Sequence, residues 1–426
     1  MSTVGAVDRA GRVAVVPARF GPEIVGGAEI VLRHIAQGLQ GRGWDVEVLT
    51  TAATDYFSWT NDQPVGCRVE DGLTVRRFEA VKSTPGTERS DLGHRMLAGD
   101  RLTLTEQERW INDDVRVPGL YHHLLLHAER YRALVFGPYL FWPSYACSQV
   151  APERSLLWTC LHDEPAAYQE IYRPLLSGVA GLFLQTEPEH DLAHRLFPQL
   201  APHAVVGCGV EVPSGYDPEA FRARYGITRP YVLYAGRREG AKGWDELLQH
   251  FRTAVLGRGL DLALVTMGAG EVRPPQGLED RVVDVGFLPD DERDDAYAGA
   301  LAYVQPSRYE AFSRTIMESW LAGRPVVGIG EGGVVRHHVE TSRGGLLYDD
   351  APEFAESLAV LLGHPRIADE MGRRGREYVL SRYQWDTVLD GIERSIVDWT
   401  PPPTGAAGGA PPVADRVGAA RTGGGA

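Results

Sequence analysis

Apolar residues in this chain come in short runs separated by stretches of helical period. "RVAVVP" (12–17) is nearly continuous in apolar side chains, as a strand buried on both faces requires. Leu32, Ile35, Ala36 and Leu39 follow at helical spacing, a Gly41–Gly43 turn comes next, and "DVEVLT" reads as another strand. The same grammar restarts at "YVLYAG" (231–236). Leu247, Leu248, Phe251 and Val255 then share one helical face, and "LALVTMG", "RVVDVGF", "LAYVQPS" and "RPVVGIG" continue the strands. Strands alternating with crossover helices predict a parallel α/β sheet, here twice over. At 426 residues the chain is too long for one ordinary core. The expected division is 1–213 and 214–383, with the joint inside the Pro- and Gly-rich 209–230. Residues 83–120 are polar and irregular and predict a long loop over a site. The Pro/Gly/Ala-biased end, 401–426, predicts a disordered tail.

Charge narrows the partners. The formal net charge of −14 argues against a nucleic-acid binder, which needs a basic face. An anionic small ligand would need a local basic pocket. Cys67, Cys147, Cys160 and Cys208 form no C-x-x-C pair, which speaks against a zinc site and fits a reducing cytoplasm. The opening residues lack an apolar stretch behind a basic start, so no signal peptide is expected. The most apolar segment, "ALVFGPYLFWPSYACSQV", is broken by Pro138 and Pro143 and is short for a span. Membrane contact, if any, would be peripheral, at the inner face.

In open α/β sheets, ligands bind at the carboxyl ends of strands. "YAGRREGAKG" sets Arg237, Arg238 and Lys242 in such a loop, between Gly236 and Gly243. Cations beside a helix start suit a diphosphate; the plainer account is a solvated basic loop. Gly26 and Gly27 sit where another strand-loop becomes a helix, so backbone N–H groups there are open to a ligand or the pair is simply a flexible turn. His162 follows the strand "SLLWTC" and is either a substrate-facing ring or a structural loop histidine. In "RYEAFSRTIMESWLAGRPVV" the helix is expected from about Ser313 to Ala322, stopped by Gly323 and Pro325. Glu310 precedes it. Glu318 lies inside it, where Thr315 and Glu318 also fit a capping box. A carboxylate is the usual group for a sugar diol, and N–H groups of Phe312, Ser313 and Arg314 at the helix start suit a phosphate.

This last string resembles the signature of the family-four glycosyltransferases, P-S-x-x-E-x-F-G, a second glutamate, then A-x-G-x-P-V-V. The chain has Pro306, Ser307, Glu310, Phe312, Glu318, Ala322, Gly323, Pro325, Val326 and Val327. "VGGAE", "LHDEP", "AGRREGAKG", "VTMGAGE", "DVGFLPDDE" and "GEGGVVRHHVETSRGGLLYDD" resemble the family's other motifs, in order, and the likeness spans residues 12 to about 398. The resemblance implies the GT-B fold, two Rossmann-like domains facing across a cleft. It also implies transfer from a nucleotide-sugar, most often UDP-linked, with retention of anomeric configuration. Arg237 and Lys242 would hold the diphosphate, Glu318 the ribose, Glu310 the donor sugar, and His162 the sugar or acceptor. Gly27 would admit the phosphates, and the backbone near Phe287 would read the base. Gly26, Gly236 and Thr315 would complete the donor site. The family's usual Gly is Ser313 here, and Arg314 replaces a common aliphatic. The segment 384–400 predicts a helix packing back on the first domain.

Other signals are plainer. His123 and His127 are spaced i, i+4 but lack a nearby third ligand, and "PDDERDDAY" suits a helix start better than Mg²⁺. No D-x-D occurs in the chain, so a metal-independent enzyme without a cofactor is expected. Tyr56, Phe57, Trp59, Tyr139, Phe141 and Trp142 are aromatics either for stacking on an acceptor or for the core. The acceptor itself (glycan, lipid-linked, small molecule or protein) is not legible. A same-fold sugar-nucleotide epimerase and an inactive binding partner are the alternatives; a dinucleotide oxidoreductase would need a G-x-G-x-x-G that "ARFGPEIVGG" does not supply.

Overall fold

The computed structural model describes residues 8–402, apart from Val25, Phe57, residues 83–86 and Asp114. The expected tail lies outside the described residues from 403 onward. Sixteen strands order the described chain. The first ten are β1 (Arg12–Pro17), β2 (Asp45–Thr51), β3 (Gly66–Glu70), β4 (Leu73–Phe78), β5 (Val81–Lys82), β6 (Val115–Arg116), β7 (Tyr131–Gly137), β8 (Ser155–Trp158), β9 (Gly181–Leu184) and β10 (His203–Val205). The rest are β11 (Tyr231–Ala235), β12 (Ala263–Met267), β13 (Val282–Gly286), β14 (Ala302–Gln305), β15 (Val326–Ile329) and β16 (Gly345–Tyr348).

Two sheets result. The first has the order β10-β9-β8-β7-β1-β2-β4-β3, parallel except for the β3–β4 hairpin at one edge. The second, β13-β12-β11-β14-β15-β16, is parallel throughout. Counted within its own half, the second sheet runs 3-2-1-4-5-6, the doubly wound order. Such sheets bind ligands where the order reverses, outside the carboxyl ends of the two central strands. Those strands are β1 and β7 in one half and β11 and β14 in the other.

The apolar periodicity is realised as packing. Leu32, Ile35, Ala36 and Leu39 are fully buried under the first sheet, and Leu247, Leu248 and Phe251 under the second. Residues 83–120 depart from expectation. Their described part is mostly helical, Thr87–Leu97 and Leu104–Asn112, and Leu92, Met96, Trp110 and Ile111 insert into the first half's core. The buried apolar positions are too sparse among polar ones for a periodicity reading to find them. The described residues contain no helix long and apolar enough to cross a membrane.

The chain crosses between the halves twice, side by side. Val210 and Gln384 form a parallel bridge, and the Val210 N–H donates to the Tyr383 carbonyl at 2.9 Å. The last helix, Trp385–Trp399, then lies on the helix Gly27–Gly41 of the first half. Val388, Leu389, Ile392 and Ile396 are buried there, each worth about 1.5–3 kcal/mol if fully removed from water. Trp44 Nε1 donates to Glu393 at 2.8 Å, and Arg42 bonds Asp390 and Glu393 at 2.6 and 2.7 Å.

Gly243 fixes the distance between the loops after β11 and β14. Its φ is +71°, and a Cβ there would lie 2.5 Å from the Pro306 carbonyl oxygen. Left-handed backbone costs an L-residue about 1–2 kcal/mol before any clash. Gly243→Ala is therefore expected to lose at least about 2 kcal/mol in urea denaturation. Gly240→Ala, whose Cβ meets nothing within 4 Å, should stay within about 0.5 kcal/mol of wild type. Equal losses for the two would remove this role for Gly243.

Candidate active site

Beyond β14, Pro306 and Ser307 turn the chain, with the Ser307 N–H donating to Gln305 Oε1 at 3.2 Å. The turn raises Glu310 over the strand end. Lys242 ends a one-turn helix, Gly240–Lys242, beyond the neighbouring strand β11. Its Nζ donates to Glu310 Oε1 at 2.8 Å, and both side chains are largely covered. His162 enters from the other half, on the loop after β8. Burial disfavours its charged ring, but the carboxylates of Glu164, 3.4 Å away, and of Glu310 outweigh this and hold its pKa above the usual value, with Lys242 opposing. The structure thus brings together Glu310, Lys242 and His162, which are far apart in sequence.

Arg237 and Arg238 separate. Arg237 is exposed at the cleft, where Nη1 donates to the Tyr56 hydroxyl of the other half at 3.0 Å and Nη2 pairs with Glu239 at 3.1 Å. Arg238, grouped with the phosphate cations by its sequence position, is buried instead. It donates to Thr266 Oγ1 at 3.0 Å and to the Gly268 and Gly270 carbonyls at 2.7 and 2.9 Å, and it pairs with Asp284. It ties the loop after β11 to β12, to the loop that follows β12 and to β13, and has no donor capacity left for a diphosphate. Gly236 also acts within the fold: its N–H donates to the Met267 carbonyl at 3.0 Å.

The signature helix is Arg314–Leu321. Its N-cap, Ser313, has φ +62° and ψ 68°, a conformation that favours glycine. The Ser313 hydroxyl accepts from Gln305 Nε2 at 2.6 Å, which anchors it there. Thr315 and Glu318 do not form the capping box that their spacing allows. Thr315 Oγ1 accepts from the Tyr303 hydroxyl at 2.8 Å, and the residue lies two positions past the N-cap, too far into the helix to cap it. Glu318 accepts from the Tyr297 hydroxyl at 3.0 Å and lies 4.0 Å from Arg293. Burial pushes nearby Asp294 up to about 6, with Arg293 pulling the other way and Glu318 adding to the rise. Phe312 is buried by His338 and Tyr383, and its carbonyl bonds His338 Nε2 at 3.0 Å. Arg314 turns inward to Cys208, near His34, and its Nη1 is buried without a hydrogen-bond partner.

In the glycine loop, a Cβ on Gly26 would lie 2.3 Å from Glu29 Oε2, whereas one on Gly27 would meet nothing within 4 Å. Gly26 makes room for the buried Arg19–Glu29 pair, and Gly27 faces open space. Phe287, just past β13, is 68% exposed.

Several supports escaped the sequence reading. Glu189 is fully buried and accepts from Thr159 Oγ1, the Leu161 N–H and the Gln185 N–H at 2.6, 2.6 and 2.5 Å, which fixes the His162 loop. His338 Nδ1 bonds the Tyr378 hydroxyl at 2.9 Å, which bonds that of Tyr383 at 2.9 Å. Burial, aided by His337, holds His338 down at about 3, so the ring is neutral and the Phe312 carbonyl takes its single N–H. Glu189 stands in no recognisable motif, and His338, though inside "GEGGVVRHHVETSRGGLLYDD", is told from His337 only by its tertiary burial. Among the aromatics, Tyr139 and Trp142 are core residues, and Trp59 packs on Phe141 at 5.7 Å. Tyr56 stays at the cleft under Arg19, and Phe57 lies outside the described residues. His123 bonds Tyr131 at 3.1 Å and serves the fold.

The fold is GT-B, two doubly wound sheets facing across a cleft, and the likenesses support a glycosyltransferase. The likenesses are consistent with family four. Residues 229–364 match the family model "Glycosyl transferases group 1". D-inositol 3-phosphate glycosyltransferase from Saccharomonospora viridis is 26% identical over 87% of this chain and 89% of its own length. Mannosylfructose-phosphate synthase from Agrobacterium fabrum is 28% identical over 42% of this chain, and the chain spans 45% of that enzyme. Among solved structures, sucrose-phosphate synthase from Thermosynechococcus elongatus superposes with a TM-score of 0.68 at 19% identity, covering 90% of this chain and 98% of that one. Anabaena HepE in complex with UDP-glucose gives 0.65 at 18% identity, covering 91% and 99%.

Glu310→Gln keeps the shape and removes the charge. Transfer is expected to fall about 100-fold in steady-state kinetics, as for loss of one electrostatic stabiliser, while nucleotide affinity stays near wild type. Unchanged turnover would take Glu310 out of the chemistry.

Proposed function

We propose that the chain is a retaining, metal-independent glycosyltransferase that moves a sugar from a nucleotide-diphosphate sugar to an acceptor held mostly by the first half. The observation that carries this reading is the meeting of Lys242 and Glu310 where the second sheet reverses its strand order, with His162 reaching them from the loop after β8 of the first. An ammonium and a guanidinium at that point suit the charge that develops on a departing diphosphate. Lys242 and Arg237 take that load. Arg314, whose buried Nη1 has no hydrogen-bond partner, is on this reading a third cation for the donor. Glu310 accepts hydroxyls of the donor sugar, and Glu318 accepts those of the ribose. Gly27 leaves room for the phosphates, and the exposed segment at Phe287 meets the base.

The reaction breaks the bond from the anomeric carbon to the phosphate oxygen and forms one from that carbon to the acceptor oxygen. With attack on the same face, the acceptor proton passes to the leaving phosphate oxygen and the configuration is kept. His162, facing Glu164 and Glu310, orients the sugar or acceptor hydroxyl. UDP-sugars come first among donors because the same-fold HepE structure holds UDP-glucose. The acceptor class stays open, and the relatives' names point to sugar or cyclitol phosphates as first trials.

A thermal-shift screen against UDP, GDP, ADP, TDP and their common sugars, with and without EDTA, tests this directly, since a ligand bound to the native state raises Tm. A shift with one nucleotide that survives EDTA is expected. A shift abolished by EDTA would overturn metal independence, and none with any nucleotide would overturn the donor assignment.

A further inference from the structure

His190 and His194 lie one turn apart on the helix Glu187–Leu196, and His203 opens β10, the edge strand of the first sheet. One ligand nitrogen from each falls within 4.8 Å of the others, and His194 Nε2 and His203 Nε2 are already 3.2 Å apart. The ring centroids are 4.4, 5.0 and 5.4 Å apart. Nitrogens bound at about 2.0–2.1 Å to one tetrahedral ion stand roughly 3.3–3.4 Å apart, so small side-chain rotations close the set. The outer hydrogen bonds point the same way. His203 Nδ1 is 2.9 Å from the Ala201 carbonyl, and His190 Nδ1 is 3.2 Å from Asp191 Oδ1. An Nδ1–H donated to a carbonyl or carboxylate leaves the Nε2 lone pair free, the arrangement common to metal-bound histidines.

We propose that His190, His194 and His203 form a binding site for a divalent transition-metal ion of the zinc class, with water completing the coordination. Three neutral imidazoles favour zinc, copper or nickel over magnesium or calcium, which take oxygen ligands. The ion is a brace, remote from the chemistry. The helix it would fasten to β10 also carries Glu189, which fixes the His162 loop. Its N-cap, Thr186, donates its hydroxyl across the cleft to the Ala311 carbonyl at 3.1 Å. Just past β10 the chain crosses to the second half. The site therefore fastens the helix that holds the first half's catalytic loop at the point where the chain leaves that half.

The test is isothermal titration of ZnCl₂ into EDTA-stripped full-length protein, beside MgCl₂ and CaCl₂. One zinc ion per chain is expected, with no heat from magnesium or calcium. His194→Ala, and the triple replacement of His190, His194 and His203 by Ala, should weaken zinc binding by more than the roughly 10–100-fold that loss of an outer hydrogen-bond partner costs. Co²⁺ should give visible absorption bands of a four-coordinate ion in the wild type alone. His194→Gln serves as the conservative variant should an alanine chain not fold. Zinc binding equal in the wild type and the triple variant would overturn the proposal, as would titration of wild type without saturable heat.

Discussion

Lys242 and Glu310 meet at 2.8 Å where the second sheet reverses its strand order, and the other features of the site are arranged around that contact. Each residue sits on a loop from one of the two central strands, so the sheet sets their separation. Gly243 lets the Lys242 loop approach the Pro306 carbonyl closely enough to make the pair. An exposed ion pair contributes little to stability, about 0–1 kcal/mol. This one, partly covered, is better understood as placement: it fixes Lys242 and Glu310 against each other at the strand ends.

Around that pair, buried polar groups on one loop are satisfied by another. Arg238 fastens its own loop to β12, the loop beyond it and β13, and the neutral His338, held by Tyr378, fixes the Phe312 carbonyl ahead of the signature helix. In the first half, Glu189 collects two backbone N–H groups and a hydroxyl beneath His162, and Arg19 with Glu29 braces the glycine loop. Leaving such groups unpaired would cost roughly 1–3 kcal/mol each, so the loops hold one arrangement before substrate arrives. Reorganisation is avoided at the moment of reaction, which is where electrostatic stabilisation gains its effect.

The strands and the loops at their carboxyl ends were legible because a fully buried parallel strand must be apolar throughout and its loop must not be. Glu310, Lys242 and His162 were found that way. What one dimension hides is which neighbour turns inward. Arg237 and Arg238 are adjacent and alike in chemistry, yet one faces the cleft and the other is buried, because Thr266, the Gly268 carbonyl and Asp284 from other elements claim Arg238. The capping-box spacing of Thr315 and Glu318 failed for a related reason: Tyr303 and Tyr297, from other elements, claim both side chains. Tyr139 and Trp142 read equally as stacking residues or as core in sequence, and they fill the core. Glu189 and the tri-histidine group depend on contacts between a helix and loops or a strand that no spacing encodes.

The most direct measurement is the affinity for UDP, by calorimetry, of wild type and of Lys242→Met and Arg237→Met. Each replacement removes one charge-assisted contact worth about 1.5–3 kcal/mol, so each should weaken UDP binding by roughly 10- to 150-fold while Tm changes little. Wild-type affinity in Lys242→Met would contradict the account, because the pair at the strand reversal would then hold nothing but itself.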